Sequence, residues 1–360
     1  MSVSASAVGT TNPKVSPHMV ELAASVIVCT RNRANYLDQC LETLSKQDCR
    51  EQFEIVIVDN ASTDDTPRLI AEWCRKHPQF RSVRESRIGL SAAKNAGAQS
   101  ALGRLLLFTD DDVLVHPHWV DSYLDLFARV GEHKTIAGGP IIPILDNLSP
   151  WPEWFDTAAL PEAGLLDYRT ERPLFSWEYV WGANMAIPSS IFSSIGPWDE
   201  DLGRKGEHRG TYEDTAYQDR LRASQGTVWF CPKASIQHRV ERERIGPRTL
   251  MSRAFSRGRN EYLRDLLRSK GTIEDPPREN SLLLLLEALT ASLVKWIAWT
   301  CAFSVVTSKA TFSRAHSAAF SSGKILERAR AGREKDVLIR GAGGVTFLMR
   351  RVALFLTRKG

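Results

Sequence analysis

Several patterns that identify common protein classes are absent from this sequence. The six cysteines show neither a Cys-x-x-Cys spacing nor a matching histidine pattern, which argues against a disulfide framework or a zinc site and favours reduced thiols. No Gly-x-Gly-x-x-Gly follows the first predicted strand, and no Walker-type Gly-Lys-Ser/Thr occurs, which argues against a dinucleotide-binding oxidoreductase and a P-loop enzyme. The chain also lacks an internal repeat.

An uninterrupted apolar segment long enough to cross a membrane is also missing. Residues 282–306 are apolar except for Glu287 and Lys295, whereas a spanning helix needs about 20 apolar residues and a central charge is costly. The two charges are eight positions apart and fall on one helix face, which favours an interfacial or packed helix over a single spanning helix. Residues 1–20 lack a basic start followed by an apolar core, so we expect a disordered lead-in and not a signal peptide.

Charge is distributed unevenly along a chain of globular composition, with 43% apolar and 25% charged residues. Residues 1–238 carry 23 basic and 31 acidic residues, a net charge of −8, whereas residues 239–360 carry 24 basic and 11 acidic residues, a net charge of +13. The basic part predicts an anionic partner, such as phosphate groups, anionic lipid or nucleic acid.

The first half of the chain alternates between strand and helix patterns. Apolar or β-branched runs predict strands, and segments with helical spacing or small residues lie between them. The predicted strands are Ala23–Thr30, Phe53–Val58, a short one near Arg81–Arg84, Leu105–Thr109 and Ile136–Ile144. The predicted helices begin near Tyr36, Thr66, Ser91 and Pro117. Repeated strand–helix units predict an α/β fold with a mostly parallel, doubly wound sheet and right-handed crossovers.

Three carboxylates follow the most apolar of these strands. Leu105–Thr109 runs directly into Asp110, Asp111 and Asp112, and such acids are costly to bury, so they should project from the carboxyl edge of the sheet, where ligands bind. Asp110 and Asp112 point the same way in an extended chain, and oxygen ligands suit Mg²⁺ or Mn²⁺. The alternative is an acidic turn that caps the next helix.

Two further acidic positions bear on this choice. Asp59 ends the second strand and should lie at the same carboxyl edge as Asp110–Asp112. This convergence favours a site for a metal and a nucleotide over a helix cap. Glu213 and Asp214 open a later helix. They either cap this helix or supply a carboxylate that acts as the general base for an incoming hydroxyl.

A segment between residues 150 and 181 is rich in proline and tryptophan. Aromatic rings stack on sugars and bases, but they also fill protein cores. Both interpretations are open for the tryptophans of this segment, which are Trp151, Trp154, Trp177 and Trp181.

The order of these motifs resembles glycosyltransferase family 2, the inverting enzymes on the GT-A nucleotide-diphospho-sugar fold. The similar segments are SVIVCTRNRANYL, Asp59-Asn60-Ala61-Ser62, RIGLSAAKNAGAQSA, Asp110-Asp111-Asp112, GANMAIP, IGPWDEDL and Glu213-Asp214. The resemblance covers about residues 23–240 and implies a GT-A fold with a Rossmann-like sheet. It also implies an enzyme that uses a divalent cation, Mn²⁺ or Mg²⁺.

The resemblance implies a role for each matching residue. Asp214 would be the catalytic base and Glu213 would orient it. Donor-binding residues would be Thr30, Arg31, Asn32, Asp59, Arg87, Lys94, Asp110 and Asp111. Metal ligands would be Asp112, Asp110 and His238, where His238 is otherwise a strand-end histidine. Acceptor-side residues would be Trp181, Gly182, Ala183 and Asn184.

The same resemblance predicts the reaction. A metal-dependent inverting enzyme would move a sugar from a nucleotide-diphospho-sugar, with a UDP-sugar favoured, to a hydroxyl of a glycan or lipid-linked acceptor in cell-surface polysaccharide or glycan biosynthesis. Processive synthases carry Gln-x-x-Arg-Trp after the base, but here the chain continues PKASIQHRVERERIG. Transfer of one sugar is therefore expected.

The predicted organisation is a lead-in at residues 1–20, a catalytic GT-A domain at 21–245 and a helical, basic extension at 246–360. The segment from Lys309 to Gly360 has 12 basic and 3 acidic residues among bulky apolar ones, a pattern typical of membrane surfaces. No nucleic-acid motif accompanies the charge. We therefore expect a cytoplasmic protein held peripherally at the inner face of a membrane, without a nucleic-acid partner.

The residues disfavour two alternatives to a glycosyltransferase. A nucleotidyltransferase on a related sheet would need a glycine-rich phosphate loop after the first strand, and CTRNRANYL contains no glycine. A non-catalytic module that binds membranes or polyanions could keep the same fold, but the acids Asp110, Asp112 and Asp214 are intact, which argues against decay.

Overall fold

The computed structural model of this chain describes most of the first 258 residues. The described positions are 22–146, 149–205, 208–209, 212–255 and 257–258, with scattered residues between 309 and 324. They form two compact units, one of residues 1–139 with 169–236 and the other of residues 140–168 with 237–360. The predicted lead-in, the 282–306 helix and most of the basic extension lie outside the described residues, and the predicted domain boundaries stay predictions.

Strands and helices alternate through the first unit. The strands of the chain are β1 (Ala24–Thr30), β2 (Phe53–Asp59), β3 (Phe80–Arg84), β4 (Leu105–Asp110), β5 (Val113–Val115), β6 (Thr135–Gly138), β7 (Ile141–Leu145), β8 (Arg172–Pro173), β9 (Asn184–Pro188), β10 (Arg204–Lys205), β11 (His208–Arg209), β12 (Thr227–Phe230) and β13 (Ile236–Val240). The helices are α1 (Ala34–Ser45), α2 (Thr66–Lys76), α3 (Leu90–Ser100), α4 (Trp119–Val130), α5 (Leu160–Ala163), α6 (Ser189–Ile195) and α7 (Glu213–Ala223).

An eight-stranded sheet forms the centre of the first unit, in the order β3-β2-β1-β4-β9-β6-β12-β8. The first four strands are parallel, β9 runs antiparallel to both of its neighbours, and β12 is parallel to β6. The predicted α/β fold with a mostly parallel, doubly wound sheet is confirmed. It follows from the apolar runs of β1, β2 and β4, which are buried on both faces as parallel strands require.

Two helices show why the sequence packs against this sheet. The predicted apolar stripe of α1 is buried at Leu37, Leu41 and Leu44, as expected for positions on one face of a helix. Helix α3 is built of small residues, and a Cβ added at Gly97 would lie 2.5 Å from Ile27 Cγ2. The close approach of α3 to the sheet therefore depends on the small side chains that the sequence places there.

The single strand predicted for Ile136–Ile144 is wrong, because the chain breaks between β6 and β7. Gly139 and Pro140 separate the two strands, and a Cβ at Gly139 would lie 2.0 Å from the carbonyl oxygen of Ala234. Pro140 also has no backbone N–H to donate to a ladder, which weakens strand pairing next to this close approach. The apolar pattern alone does not show this interruption.

The second unit has its own apolar core. It contains β7, β13, α5 and a helix at residues 247–255, and its buried residues include Leu145, Phe155, Leu250 and Phe312. Trp151 stacks on Phe155 with ring centroids 4.2 Å apart, and Trp154 packs against the same cluster. For these two tryptophans the structure favours the core interpretation. No helix among the described residues is long and apolar enough to cross a bilayer.

A buried carboxylate ties the second unit together. The side chain of Glu162 is fully buried and pairs with Arg257 and with His316 Nε2, which lies 2.8 Å from its Oε2. Arg253 Nη1 donates to the Glu162 carbonyl oxygen (2.8 Å). Burial alone would raise the pKa of Glu162, but the hydrogen bond from His316 and the charge of Arg257 outweigh it and lower the pKa.

We expect Glu162→Gln to lower the free energy of unfolding by about 3 kcal/mol near neutral pH, because it removes the buried negative charge that pairs with the Arg257 guanidinium. Since the folded pKa is lowered, the contribution of Glu162 is present above its ordinary pKa of 4.5 and is lost as pH falls through the folded value. Urea denaturation at pH 7 and below pH 4.5 measures this, with exposed Glu153→Gln as control. A difference that is independent of pH would contradict the charge pairing.

Candidate active site

Polar side chains collect at the carboxyl edge of the parallel strands. Strand β1 lies between β2 and β4, and the register pairs Thr30 with Asp59 and Cys29 with Asp110. The structure therefore brings Asp59 and Asp110 to the same edge, one on each side of the end of β1. Asp59 is buried and Asp110 is half-buried.

The loops after β1 and β2 are fastened to each other. Asn32 adopts a left-handed backbone conformation with φ of 55°, and its Oδ1 accepts from the backbone N–H of Thr63 (2.7 Å). The backbone N–H of Asn32 donates to Ser62 Oγ (3.0 Å), and the backbone N–H of Ser62 donates to Asp59 Oδ1 (2.9 Å). Asn32 and Asp59 thus shape one loop pair, and their side chains hold its backbone.

Two side chains of the first loop hold the acids that end β4. Thr30 Oγ1 donates to Asp111 Oδ2 (2.7 Å). Arg33 Nη2 donates to Asp112 Oδ2 (2.8 Å), and Arg33 Nε lies 3.3 Å from Asp111 Oδ1. Burial raises the pKa of the Asp111 carboxyl to about 7, although Arg33 opposes the shift. Asp110 is the least buried of the three acids.

A second cluster forms around the carboxylate of Asp214, in the first turn of α7. Lys94 Nζ and Trp198 Nε1 both donate to Asp214 Oδ1, at 2.6 Å and 3.2 Å. The backbone N–H of Gly182 donates to Asp214 Oδ2 (2.8 Å). Lys94 Nζ also lies 3.5 Å from Glu213 Oε1. Two side chains, from α3 and the loop before α7, and one backbone N–H from the segment before β9 therefore orient one carboxylate.

The electrostatics of this cluster are those of a buried cation between acids. Lys94 is 3% exposed. Burial alone would lower its pKa, but Asp214 and Glu213 raise the pKa above its ordinary range. Burial raises the pKa of Glu213, against the attraction of Lys94. Lys94 therefore stays charged and neutralises part of the acidic charge around it.

Gly182 is at its position because no other residue fits there. A Cβ at Gly182 would lie 2.5 Å from Asp214 Oδ2 and 2.5 Å from Lys94 Nζ. Trp181, just before it, is 42% exposed, whereas Ala183 is buried. Asn184 is fully buried: its Oδ1 accepts from Trp119 and Tyr123, and its Nδ2 donates to the Ala234 carbonyl. Its side chain anchors β9 inside the unit.

The remaining predicted site residues lie in three different places. Arg87 is exposed and pairs with Glu85 and with Glu200, the latter at 2.9 Å. Arg31 is half-buried in the loop after β1. His238 is half-buried on β13.

Sequence reasoning missed two residues that contact the predicted acids, Arg33 and Trp198. Both lie in segments that carry the family resemblance, TRNR and GPWDEDL. Arg33 could have been found from its positive charge, because it directly follows the residues predicted to bind the nucleotide. No local pattern indicates that Trp198, 1% exposed, donates to a carboxylate 16 residues away.

Comparison with protein families gives one match in this part of the chain. Residues 25–184 match the model described as glycosyl transferase family 2. This match and the strand order together confirm the GT-A fold class that the resemblance implied.

Curated relatives carry names of sugar transferases. Validoxylamine A glucosyltransferase of Streptomyces hygroscopicus subsp. jinggangensis is 30% identical over 202 residues, which cover 49% of this chain and 47% of the relative. Glucosyl-dolichyl phosphate glucuronosyltransferase of Haloferax volcanii is 22% identical over 280 residues, which cover 71% of this chain and 88% of the relative. The chain spans about half the length of the first of these relatives.

Solved structures with similar folds are more distant. A mannosyltransferase, PcManGT, from Pyrobaculum calidifontis, in complex with GDP-Man and Mn²⁺, has a TM-score of 0.45 at 17% identity and covers 93% of this chain and 81% of its own. GalNAc-T7, crystallised with UDP, GalNAc and Mn²⁺, has a TM-score of 0.48 at 18% identity and covers 61% of this chain and 44% of its own.

Proposed function

From the match of residues 25–184 to the glycosyl transferase family 2 model, we propose that the protein is a metal-dependent inverting glycosyltransferase. It moves one sugar from a nucleotide-diphospho-sugar to a hydroxyl of a glycan or a lipid-linked acceptor. The observation that carries this proposal is the set of hydrogen bonds around Asp214, because the bonds made by the described residues leave the carboxylate one open acceptor position.

The lone pairs of Asp214 can be counted. A carboxylate offers about four acceptor positions, two on each oxygen. Lys94 and Trp198 occupy both positions of Oδ1, and the backbone N–H of Gly182 occupies one position of Oδ2. The remaining position of Oδ2 is where an acceptor hydroxyl would donate its proton.

The reaction follows from this geometry. Asp214 Oδ2 takes the proton of the acceptor hydroxyl, and the acceptor oxygen forms a bond to the anomeric carbon of the donor sugar. The bond from that carbon to the diphosphate breaks on the opposite face, so the configuration inverts and a nucleoside diphosphate leaves. No protein nucleophile is required. Lys94 stays charged beside the Asp214 carboxylate and offsets part of its negative charge.

The donor would lie along the carboxyl edge of β1, β2 and β4. Asp59 would hold the nucleotide base, in the loop pair that Asn32 shapes. The other donor-side residues of the proposal are Thr30, Arg31, Arg87, Lys94, Asp110 and Asp111. Of these, Lys94 contacts Asp214 in this structure, which supports a position for Lys94 between the catalytic base Asp214 and the donor.

The residues at the end of β4 fit a hard divalent cation. Asp110 and Asp112 supply carboxylate oxygens, the ligands that Mg²⁺ and Mn²⁺ take, and both would hold the ion; His238 is kept as a third proposed ligand. When bound, the ion offsets negative charge on the diphosphate. Arg33, already paired with Asp112, keeps that carboxylate oriented.

The acceptor and location belong to the same proposal. The name of the Haloferax volcanii relative contains a dolichyl phosphate-linked sugar, which supports a glycan or lipid-linked acceptor for this chain as well. The net charge of +13 on residues 239–360 supports contact with an anionic membrane surface at the cytoplasmic side. A role in cell-surface glycan biosynthesis would follow.

A thermal-shift screen against UDP, GDP, dTDP and CDP, each with and without Mn²⁺, tests the function. At a hundred times its Kd, one nucleotide should add about 2.7 kcal/mol, which corresponds to about 5–10 °C in Tm. The part of the shift that needs Mn²⁺ should disappear in Asp110→Asn and persist in Asp125→Asn on α4. If folded protein responds to none of the four, the acidic edge is structural and the proposal fails.

A further inference from the structure

Exposed aromatic side chains border the Asp214 cluster. Among the described residues, the exposed large apolar side chains are Ile88, Leu102, Phe175, Trp181 and Tyr212. Trp181 precedes Gly182, which donates to Asp214, and Tyr212 lies two residues before Asp214 itself. Two exposed rings, 42% and 57% accessible, therefore flank the proposed base from two different segments.

The segment that carries Trp181 runs alongside α7. Three hydrogen bonds fix its register: Arg222 donates to the Phe175 carbonyl (3.3 Å), the backbone N–H of Val180 donates to Gln218 Oε1 (3.0 Å), and that of Gly182 donates to Asp214 (2.8 Å). Residues 214 and 222 are eight positions apart in one helix, which is about 12 Å at 1.5 Å per residue. The stretch of α7 that this segment follows is therefore about 12 Å long, farther than one sugar ring extends.

Aromatic rings occur along this whole length, at Phe175, Trp177, Tyr179 and Trp181, and we call them the aromatic track. Phe175 and Trp177 stack with centroids 4.9 Å apart and an interplanar angle of 13°. Tyr179 is fixed by its hydroxyl, which donates to Asp219 Oδ1 (2.8 Å). These contacts hold the rings in fixed positions, which lowers the entropy cost of binding a ligand along them.

The side chains between the rings indicate the chemistry of that ligand. The Arg172 guanidinium lies 5.0 Å from the Phe175 ring and that of Arg222 lies 4.5 Å from the Tyr179 ring. Hydrogen-bonding groups thus alternate with aromatic faces. A sugar chain matches this surface, because each unit presents an apolar face of C–H groups beside hydroxyls. A polyprenyl tail would need a continuous aliphatic groove, and the track offers rings interrupted by charge.

Resting on the proposed function, we propose that the acceptor is an oligosaccharide of at least three units that lies along the aromatic track. Its terminal unit is placed at Trp181 and Tyr212, with the attacking hydroxyl at Asp214 Oδ2. Its more distant units lie on Tyr179 and on the stacked pair of Phe175 and Trp177. Trp181 and Phe175 are specificity-determining residues: the first is needed for any sugar acceptor, the second only for long ones.

Fluorine NMR on full-length protein labelled with 5-fluorotryptophan tests the proposal. The resonances of Trp177 and Trp181 are assigned with Trp→Phe variants, and Trp73 on α2 is the reference. The sample contains Mg²⁺ in place of Mn²⁺, together with the nucleoside diphosphate that stabilises the protein most. Glucose, galactose, mannose and N-acetylglucosamine oligomers of one to four units are then titrated.

We expect that for one of the four sugars the Trp181 resonance shifts with oligomers of every length. The Trp177 resonance should shift only from three units upward, and the Trp73 resonance should not change. For that sugar, Trp181→Ala should weaken binding about tenfold at every length, and Phe175→Ala about tenfold only for three and four units. Leu102→Ala, at an exposed apolar residue outside the track, should have no effect. Circular dichroism confirms that each variant is folded.

Three results overturn the proposal: no oligomer shifts Trp181 or Trp177, Phe175→Ala weakens short and long oligomers equally, or a polyprenyl phosphate shifts Trp177 where no oligomer does. The failure of the proposed function is separately visible in the same sample. If no nucleoside diphosphate binds, the glycosyltransferase function fails. If a nucleoside diphosphate binds but the oligomers do not, only the assignment of the acceptor fails.

Discussion

Asp214→Asn should reduce sugar transfer by about 10³-fold while leaving the affinity for the donor nearly unchanged. Asparagine has the shape of aspartate but cannot take up the proton of the acceptor hydroxyl, and a general base contributes about 10²–10⁴ in rate. Donor binding is retained because the acidic edge of β1, β2 and β4 is supplied by other residues. Released nucleoside diphosphate measures turnover, and calorimetry measures the donor Kd.

The control for this variant is Asp125→Asn, the same substitution on α4, where the carboxylate pairs with Arg50 at the surface. Its turnover should equal that of the natural protein. Near-normal turnover of Asp214→Asn would assign the base elsewhere, with Glu213 as the next candidate. A parallel loss of donor affinity would instead mean that Asp214 organises the donor site and that its effect on rate is indirect.

The carboxyl edge of the sheet was predictable because local patterns carry it. The run Leu105–Thr109 is too apolar to be exposed, and the acids after it are too costly to bury without the partners that Thr30 and Arg33 supply, so the strand has to end near them. The same reasoning applies to Asp59 after β2. Because parallel strands end at one edge, the two acids could be placed together without any structure, and the register of β1 with β2 and β4 agrees.

The contacts of the Asp214 cluster could not be predicted in the same way. Lys94 lies 120 positions before Asp214 and Trp198 lies 16 positions before it, and no periodicity relates them. The break between β6 and β7 has a similar origin, since Gly139 is demanded by the nearby Ala234 carbonyl. These features follow from tertiary packing, which sequence patterns do not encode.

Lys94→Met should cost about 3–5 kcal/mol of unfolding free energy. Methionine keeps much of the side-chain volume but removes the ammonium. Asp214 and Glu213 would then be left together in a buried site without their shared cation. Urea denaturation measures the loss. The control is Lys134→Met. In the contacts resolved for Lys134, its ammonium donates only to a neutral carbonyl, Ser224 O at 2.8 Å, so this substitution should cost about 1 kcal/mol.

The double variant Lys94→Met with Asp214→Asn separates charge from packing. If the cost of Lys94→Met comes from an unneutralised carboxylate, neutral asparagine at 214 should restore part of it, so the double variant should be more stable than the sum of the two single losses. Additive losses would mean that Lys94 stabilises the unit by packing alone. In that case the charge of Lys94 would not be what stabilises the Asp214 carboxylate, and its orientation as base would rest on Trp198 and Gly182.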